Sequence, residues 1–157
     1  MSDTVERVLA AHRFLDGMPD GTVELIAGCA QLDSFEPGQR LLAEGEPADT
    51  LFLVHHGRVA IEVHQSGGII TIETVEPGQI VGLSWASPPF RWQFDARALD
   101  PVSVVAVDVD RLRTELRRRP DIGVIVLERL ASLLVDRLQE TRLRVLDLHA
   151  LGDDRPR

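Results

Sequence analysis

The apolar positions of this chain change period twice. In "DTVERVLAAHRFLDGM", Val5, Val8, Leu9, Phe14 and Leu15 fall near the three-to-four-residue spacing of a helix face, and Gly17 supplies a stop. A second short helix is expected in "DGTVELIAGCAQL". Over "RLLAEGEPADTLFLVHHGRVAIEVHQSGGIITIETVEPGQIVGL" the chain is rich in Val, Ile and Thr and is punctuated by Gly and Pro. There Val59, Ile61 and Val63 alternate with Ala60, Glu62 and His64, the pattern of a half-buried strand. "SGG" at residues 66–68 separates two such runs and predicts a hairpin turn. "PVSVVAVDVDRL" predicts one more strand. From Asp121 the helical period returns: Val124, Leu127, Ala131, Leu134, Leu138, Thr141, Val145 and Leu148 alternate at spacings of three and four.

Short strands at regular spacing, with helices confined to the two ends, predict a mainly β domain with terminal helices. The architecture expected is a jelly-roll β-barrel and not a βαβ sheet. A helix over residues 121–148 would be about 42 Å long at 1.5 Å per residue. Such a helix either folds back on its own barrel or pairs with a second chain. The strictness of the a/d spacing favours a homodimer seam through Leu127, Leu134, Leu138, Thr141 and Val145. Thr141 is the polar position of that seam, suited to fixing register or to facing a ligand.

Composition narrows the function. The chain of 157 residues has a net charge of −8, and all its basic residues are arginine apart from the five histidines. That balance argues against direct nucleic-acid binding by bulk electrostatics. The basic run "RLRTELRRRP" is expected to be a solvated helix face before a proline stop. Cys29, the single cysteine, cannot close an internal disulfide and belongs by its apolar surroundings in the core. No run has the length of a membrane span and the start has no basic-then-apolar leader, so a cytoplasmic protein without a membrane partner is expected.

Catalytic and metal chemistry find no foothold. His55, His56 and His64 do not form a His-x-His pair with a following Glu, and adjacent His55 and His56 are expected on opposite sheet faces. His12 and His149 lie in terminal segments and are expected to be solvated. No nucleophile–base constellation stands out, so neither enzyme activity nor a cofactor is expected. The unusual stretch is "GLSWASPPFRWQFDARA", residues 82–98, which holds both tryptophans, a double proline and two arginines.

The residues "FEPGQRLLAEGEPADTLFLVHHGRVAI", with the opening "HRFLDGM" and the later "EPGQIVG", resemble the cyclic-nucleotide-binding domain of the catabolite-activator family. The resemblance implies one domain over residues 1–157: N-terminal helices in 1–34, a jelly roll in 35–110, then a hinge helix and a long dimerising helix in 111–150. It also implies a phosphate-binding cassette between two strands. There a Gly-Glu pair meets the ribose, and an Arg followed by Ser or Thr holds the cyclic phosphate five residues before an Arg-Ala pair. Such a phosphate needs a bidentate guanidinium.

On that frame Gly82 matches the glycine, Leu83 stands where Glu belongs, and Arg97-Ala98 match the Arg-Ala pair. Trp92 and Gln93 then stand where the phosphate Arg and its Ser or Thr belong, with Arg91 one residue early. Thr141, within "RLQETR", matches the position that meets the nucleobase. Candidate ligand-binding residues are therefore Gly82, Leu83, Ser84, Trp85, Arg91, Trp92, Gln93 and Thr141. Three readings of the aromatic cassette stand open: a pocket for a less polar ligand, a pocket filled by tryptophan, and an aromatic surface for a protein partner. The family's bacterial members carry a helix-turn-helix after the long helix, and "HALGDDRPR" is too short to form one. The expectation is a regulatory, ligand-sensing domain that does not take cyclic AMP or cyclic GMP in the usual way. The alternative is an interaction subunit with no small ligand.

Overall fold

A computed structural model describes residues 2–153. Helix α1 (Ser2–Ala11) leads through a 3-10 turn at Arg13–Leu15 to the short α2 (Thr22–Ala27). Eight strands follow: β1 (Ala30–Phe35), β2 (Arg40–Leu42), β3 (Thr50–His56), β4 (Val59–Gln65), β5 (Gly68–Val75), β6 (Ile80–Val81), β7 (Asp95–Ala98) and β8 (Val102–Asp108). Helices α3 (Val109–Arg118) and α4 (Pro120–Asp153) complete the described chain. The strands form two antiparallel four-stranded sheets, ordered β1-β8-β3-β6 and β2-β7-β4-β5. This is a jelly-roll arrangement of two facing sheets, with terminal helices as expected.

The core lies between the sheets. Leu51 and Leu53 of β3, Val59 and Ile61 of β4, Val105 and Val107 of β8 are buried in one cluster with Ala96, Ala98 and both tryptophans. The predicted alternation on β4 holds for Val59 and Ile61, but Ala60 and Glu62 on the opposite face are buried too. β1 carries no alternation at all: its inner four positions are exposed, because it is an edge strand joined to β8 alone. That is why apolar periodicity did not reveal it and the sheet begins at Ala30, ahead of Phe35.

Two histidine expectations fail. His12 is buried; its Nε2–H donates to the Val54 carbonyl at 3.0 Å, and its Nδ1 accepts the Phe14 N–H at 3.1 Å. It staples the N-terminal turn to β3, so its place near the chain start did not leave it solvated. His55 and His56 do not diverge: their ring centroids lie 3.9 Å apart, because the register shifts between Val54 and His56.

The C-terminal helices are placed by local signals. Asp108 caps α3, accepting the Arg111 N–H at 3.1 Å. Pro120 opens α4 and forces Arg119 out of the helical region, which separates the two helices. A Cβ at Gly123 would lie 2.5 Å from the Leu116 carbonyl oxygen, so glycine lets α4 cross tightly over α3. Ile122, Val126 and Leu130 are buried and Leu133 half-buried, forming the stripe that faces the barrel. Further along, arginines replace that stripe. Arg137 donates to the Ile80 carbonyl and Arg144 to that of Ile72, while Arg129 reaches the carbonyls of Phe14 and Asp16. The a/d positions are turned away from the barrel: Leu134 is 48% exposed, Leu138 49%, and Leu127 and Val145 are similarly open. No helix among the described residues is long and apolar enough to cross a membrane.

Candidate functional site

The cassette runs from the end of β6 to the start of β7. Gly82 turns the chain at φ +97°, and a Cβ there would stand 2.8 Å from the Trp92 ring and 3.0 Å from the Thr50 carbonyl oxygen. Glycine is needed on both counts, conformation and space. Leu83 follows, half-buried against the core, and Ser84, Trp85 and Ala86 form a single 3-10 turn. The Pro88–Pro89 bond is cis, and Phe90 sits at φ +57° with 45% of its surface exposed.

Residues 90–95 are laced to residues 44–48. Trp92 N–H donates to the Glu46 carbonyl and the Trp92 carbonyl accepts the Gly45 N–H, both at 2.9 Å. Ala48 N–H donates to the Phe90 carbonyl at 2.9 Å, and Asp95 accepts the Glu44 N–H at 2.7 Å. This ladder fixes which way successive side chains point. Trp92 goes inward and is 3% exposed. Arg91 and Gln93, its neighbours, stay exposed on the solvent side. Arg91 donates to the Gly45 carbonyl at 2.7 Å, and Gln93 Nε2 donates back to the Arg91 carbonyl at 3.0 Å.

The structure thus packs the Trp92 ring against Gly82 and places Leu83, Trp85 and Trp92 in the apolar core. Arg91 and Gln93 are excluded from it, and Ser84 is half-buried beside it. Thr141 is exposed on α4, its hydroxyl donating to the Arg137 carbonyl of its own helix at 2.9 Å.

Three features of the region were not legible in the sequence. Arg113 of α3 donates to the Trp85 carbonyl and lies over the rings of Trp85 and Phe90, 5.3 and 5.4 Å from their centroids. The Trp85 Nε1–H is buried without a hydrogen-bond partner among the described residues. On the outer face of the second sheet, the register partners Glu62 and Asp95 are both buried carboxylates. Arg97 pairs with Glu62 at 2.6 Å, and His64 with Asp95 at 2.6 Å. Burial alone would push the Asp95 carboxyl up. The Glu44 N–H, His64 and Arg40 outweigh it and hold the group below its ordinary 3.8. Strand pairing creates these contacts between residues about thirty apart, which no local pattern signals.

The fold and the cassette place the chain among known proteins. The cyclic nucleotide-binding domain family matches residues 32–119. The chain belongs to that family. It is 27% identical over 145 residues to a CRP-like cAMP-activated global transcriptional regulator of Mycobacterium tuberculosis, covering 92% of this chain and 63% of that protein. The chain thus spans less than two thirds of that relative's length. A cyclic nucleotide-binding protein of Geobacter metallireducens superposes with a TM-score of 0.74 at 29% identity, over 86% of this chain and 98% of that one. A cyclic nucleotide-binding domain of Methylobacillus flagellatus gives a TM-score of 0.78 at 25% identity, over 93% of this chain and 83% of that one.

Proposed function

We propose that this chain is a non-enzymatic regulatory domain of the cyclic nucleotide-binding family whose cassette is plugged by Trp92, so that it does not respond to cyclic AMP or cyclic GMP in the family's usual way. The observation that carries this reading is the burial of the Trp92 indole against Gly82, with its neighbour in sequence, Arg91, held outward on the Gly45 carbonyl. A desolvated phosphate needs a fixed guanidinium. An inward indole offers neither charge nor space. Of the three readings of the aromatic cassette, the filled one is favoured.

The exposed a/d face of α4 supports a homodimer as the form in which the domain works. A stripe of half-exposed leucines and valines is a poor solvent face and a good helix–helix seam. Output then passes through protein contacts of the pair. The arginine grips at Ile80 and Ile72 tie the position of α4 to β5 and β6, the strands that lead into the cassette.

Calorimetry tests the plug. The wild type should show no heat of binding with either cyclic nucleotide at low micromolar concentration. Losing a buried Arg–phosphate pair costs about 2–5 kcal/mol, or roughly 30- to 4,000-fold in Kd. The triple variant Leu83→Glu, Trp92→Arg, Gln93→Ser should gain measurable affinity, while the same three residue types introduced one position earlier should not. Tight binding by the wild type would overturn the reading.

A further inference from the structure

His12, which the cassette does not use, is buried where several elements meet. Its Nε2–H and the Gly78 N–H both donate to the Val54 carbonyl of β3, at 3.0 and 2.9 Å. Its Nδ1 caps the 3-10 turn Arg13–Leu15 by accepting the Phe14 N–H. The capped turn also holds α4: Arg129 donates to the Phe14 carbonyl at 3.0 Å and to the Asp16 carbonyl at 2.6 Å. One imidazole therefore joins the N-terminal turn to β3 and to the β5–β6 turn, and that N-terminal turn carries a grip on the long helix.

These two bonds require the neutral ring, protonated at Nε2 alone. A second proton has one place to go, Nδ1, and there it turns the acceptor into a donor facing the Phe14 N–H 3.1 Å away. The Val54 bond survives that change and the cap does not. A buried N–H that loses its acceptor is costly, so the turn moves off the ring. The charged groups facing the imidazole are Asp16, which favours the proton, and Arg13 and His55, which oppose it. The β5–β6 turn presents Pro77 and Gly78 without charge, and α4 presents Arg129, seated on the Asp16 carbonyl. A cleft of about 360 Å³, lined by His12 together with Ala11, Arg13, Asp16, His55 and Pro77, gives solvent protons a way to the ring. Burial holds the His12 pKa below its ordinary 6.5, which sets the transition on the acid side of neutrality. We propose that His12 is a proton-operated latch: neutral, it holds the Arg13–Leu15 turn and with it the Arg129 grip on α4; protonated at Nδ1, it releases the turn and frees the Arg129 guanidinium, while the sheets and the apolar stripe of α4 stay packed. Acid thus loosens α4 from the N-terminal turn without unfolding the domain. The latch lies outside the cassette, and its test does not depend on what the cassette binds.

NMR of the full chain between about pH 7.5 and about pH 5 reads the latch directly. The His12 ring C–H shifts give its protonation. The Phe14 amide gives the cap, as its protection from exchange relative to the unfolded rate. The Arg129 side-chain N–H signals give the grip, since exchange is slowed while they bond the two carbonyls. All three should change at one midpoint below pH 6.5, while the amides of the β3–β8 ladder keep their protection. His12→Asn, whose side-chain oxygen caps the turn but does not titrate, should hold the Phe14 and Arg129 signals through the whole range. Arg129→Gln leaves the buried ring in place and tests the coupling from the other end. A turn no longer held by α4 costs less to release, so the proton affinity of His12 should rise roughly threefold. A His12 ring that stays neutral to about pH 5 would overturn the proposal, as would a Phe14 amide that stays protected once the ring has titrated. So would Arg129 signals that titrate in His12→Asn, an unchanged His12 midpoint in Arg129→Gln, or loss of β3–β8 protection at the same midpoint.

Discussion

Replacing Trp92 with alanine removes the side chain that closes the cassette, and its cost can be worked from the structure. The indole is 3% exposed and belongs to the main core cluster. A buried tryptophan hides about 150–250 Å². At about 25 cal/mol per Å² the transfer term is roughly 4–6 kcal/mol, of which the remaining alanine retains a part. Measured truncations of this kind cost about 3–5 kcal/mol, with the cavity included. The backbone bonds of residue 92 to Gly45 and Glu46 do not involve the side chain and should survive. The expected loss is therefore about 4 kcal/mol. At roughly 2–4 °C per kcal/mol for a chain of this size, Tm should drop by on the order of 10 °C. Urea titration monitored by circular dichroism gives the first figure and calorimetry the second. Trp85→Phe provides the contrast: the Nε1–H it deletes has no partner, so no hydrogen bond is lost and the cost should stay near that of a volume change alone. A Trp92→Ala variant within about 1 kcal/mol of the parent would refute the plug, since such a side chain would not be packing the space it occupies.

Other outcomes follow from the same geometry. Leu134→Glu with Leu138→Glu places like charges on the exposed face of α4 while the stripe at Ile122, Val126 and Leu130 remains intact. Light scattering should then report a folded monomer against a dimeric parent. Stability should fall as pH drops below about 6.5, because burial lowers the His12 pKa below its ordinary 6.5 and the unfolded chain takes up the proton first. The contribution is complete above the ordinary value and is lost as pH falls toward the depressed folded value. His55, also lowered by burial and by His56, adds in the same direction. Urea midpoints measured between about pH 7 and pH 5.5 should show the decline, and His12→Gln should flatten it.

The sequence by itself determined the architecture where one signal sufficed. Val59 and Ile61 declared a strand with a buried face, Pro120 declared the break between α3 and α4, and the a/d spacing from Val124 onward declared an apolar helix face, favoured as a seam but turned away from the barrel only by the structure. The exchange of charged cassette residues for Leu83 and Trp92 was also visible there, because it depends only on which residue stands at which distance from Gly82 and Arg97. The tertiary structure alone decided which way the cassette side chains face. The ladder with residues 44–48 turns Trp92 in and Arg91 out, and a choice between adjacent residues is a choice of pleat that composition does not make. It also decided the burial of His12, the pairing of Glu62 with Arg97, and the placing of Arg113 over the rings of Trp85 and Phe90. These contacts join segments distant in sequence, and their energies exist only once the sheets have closed and water has been removed from between them.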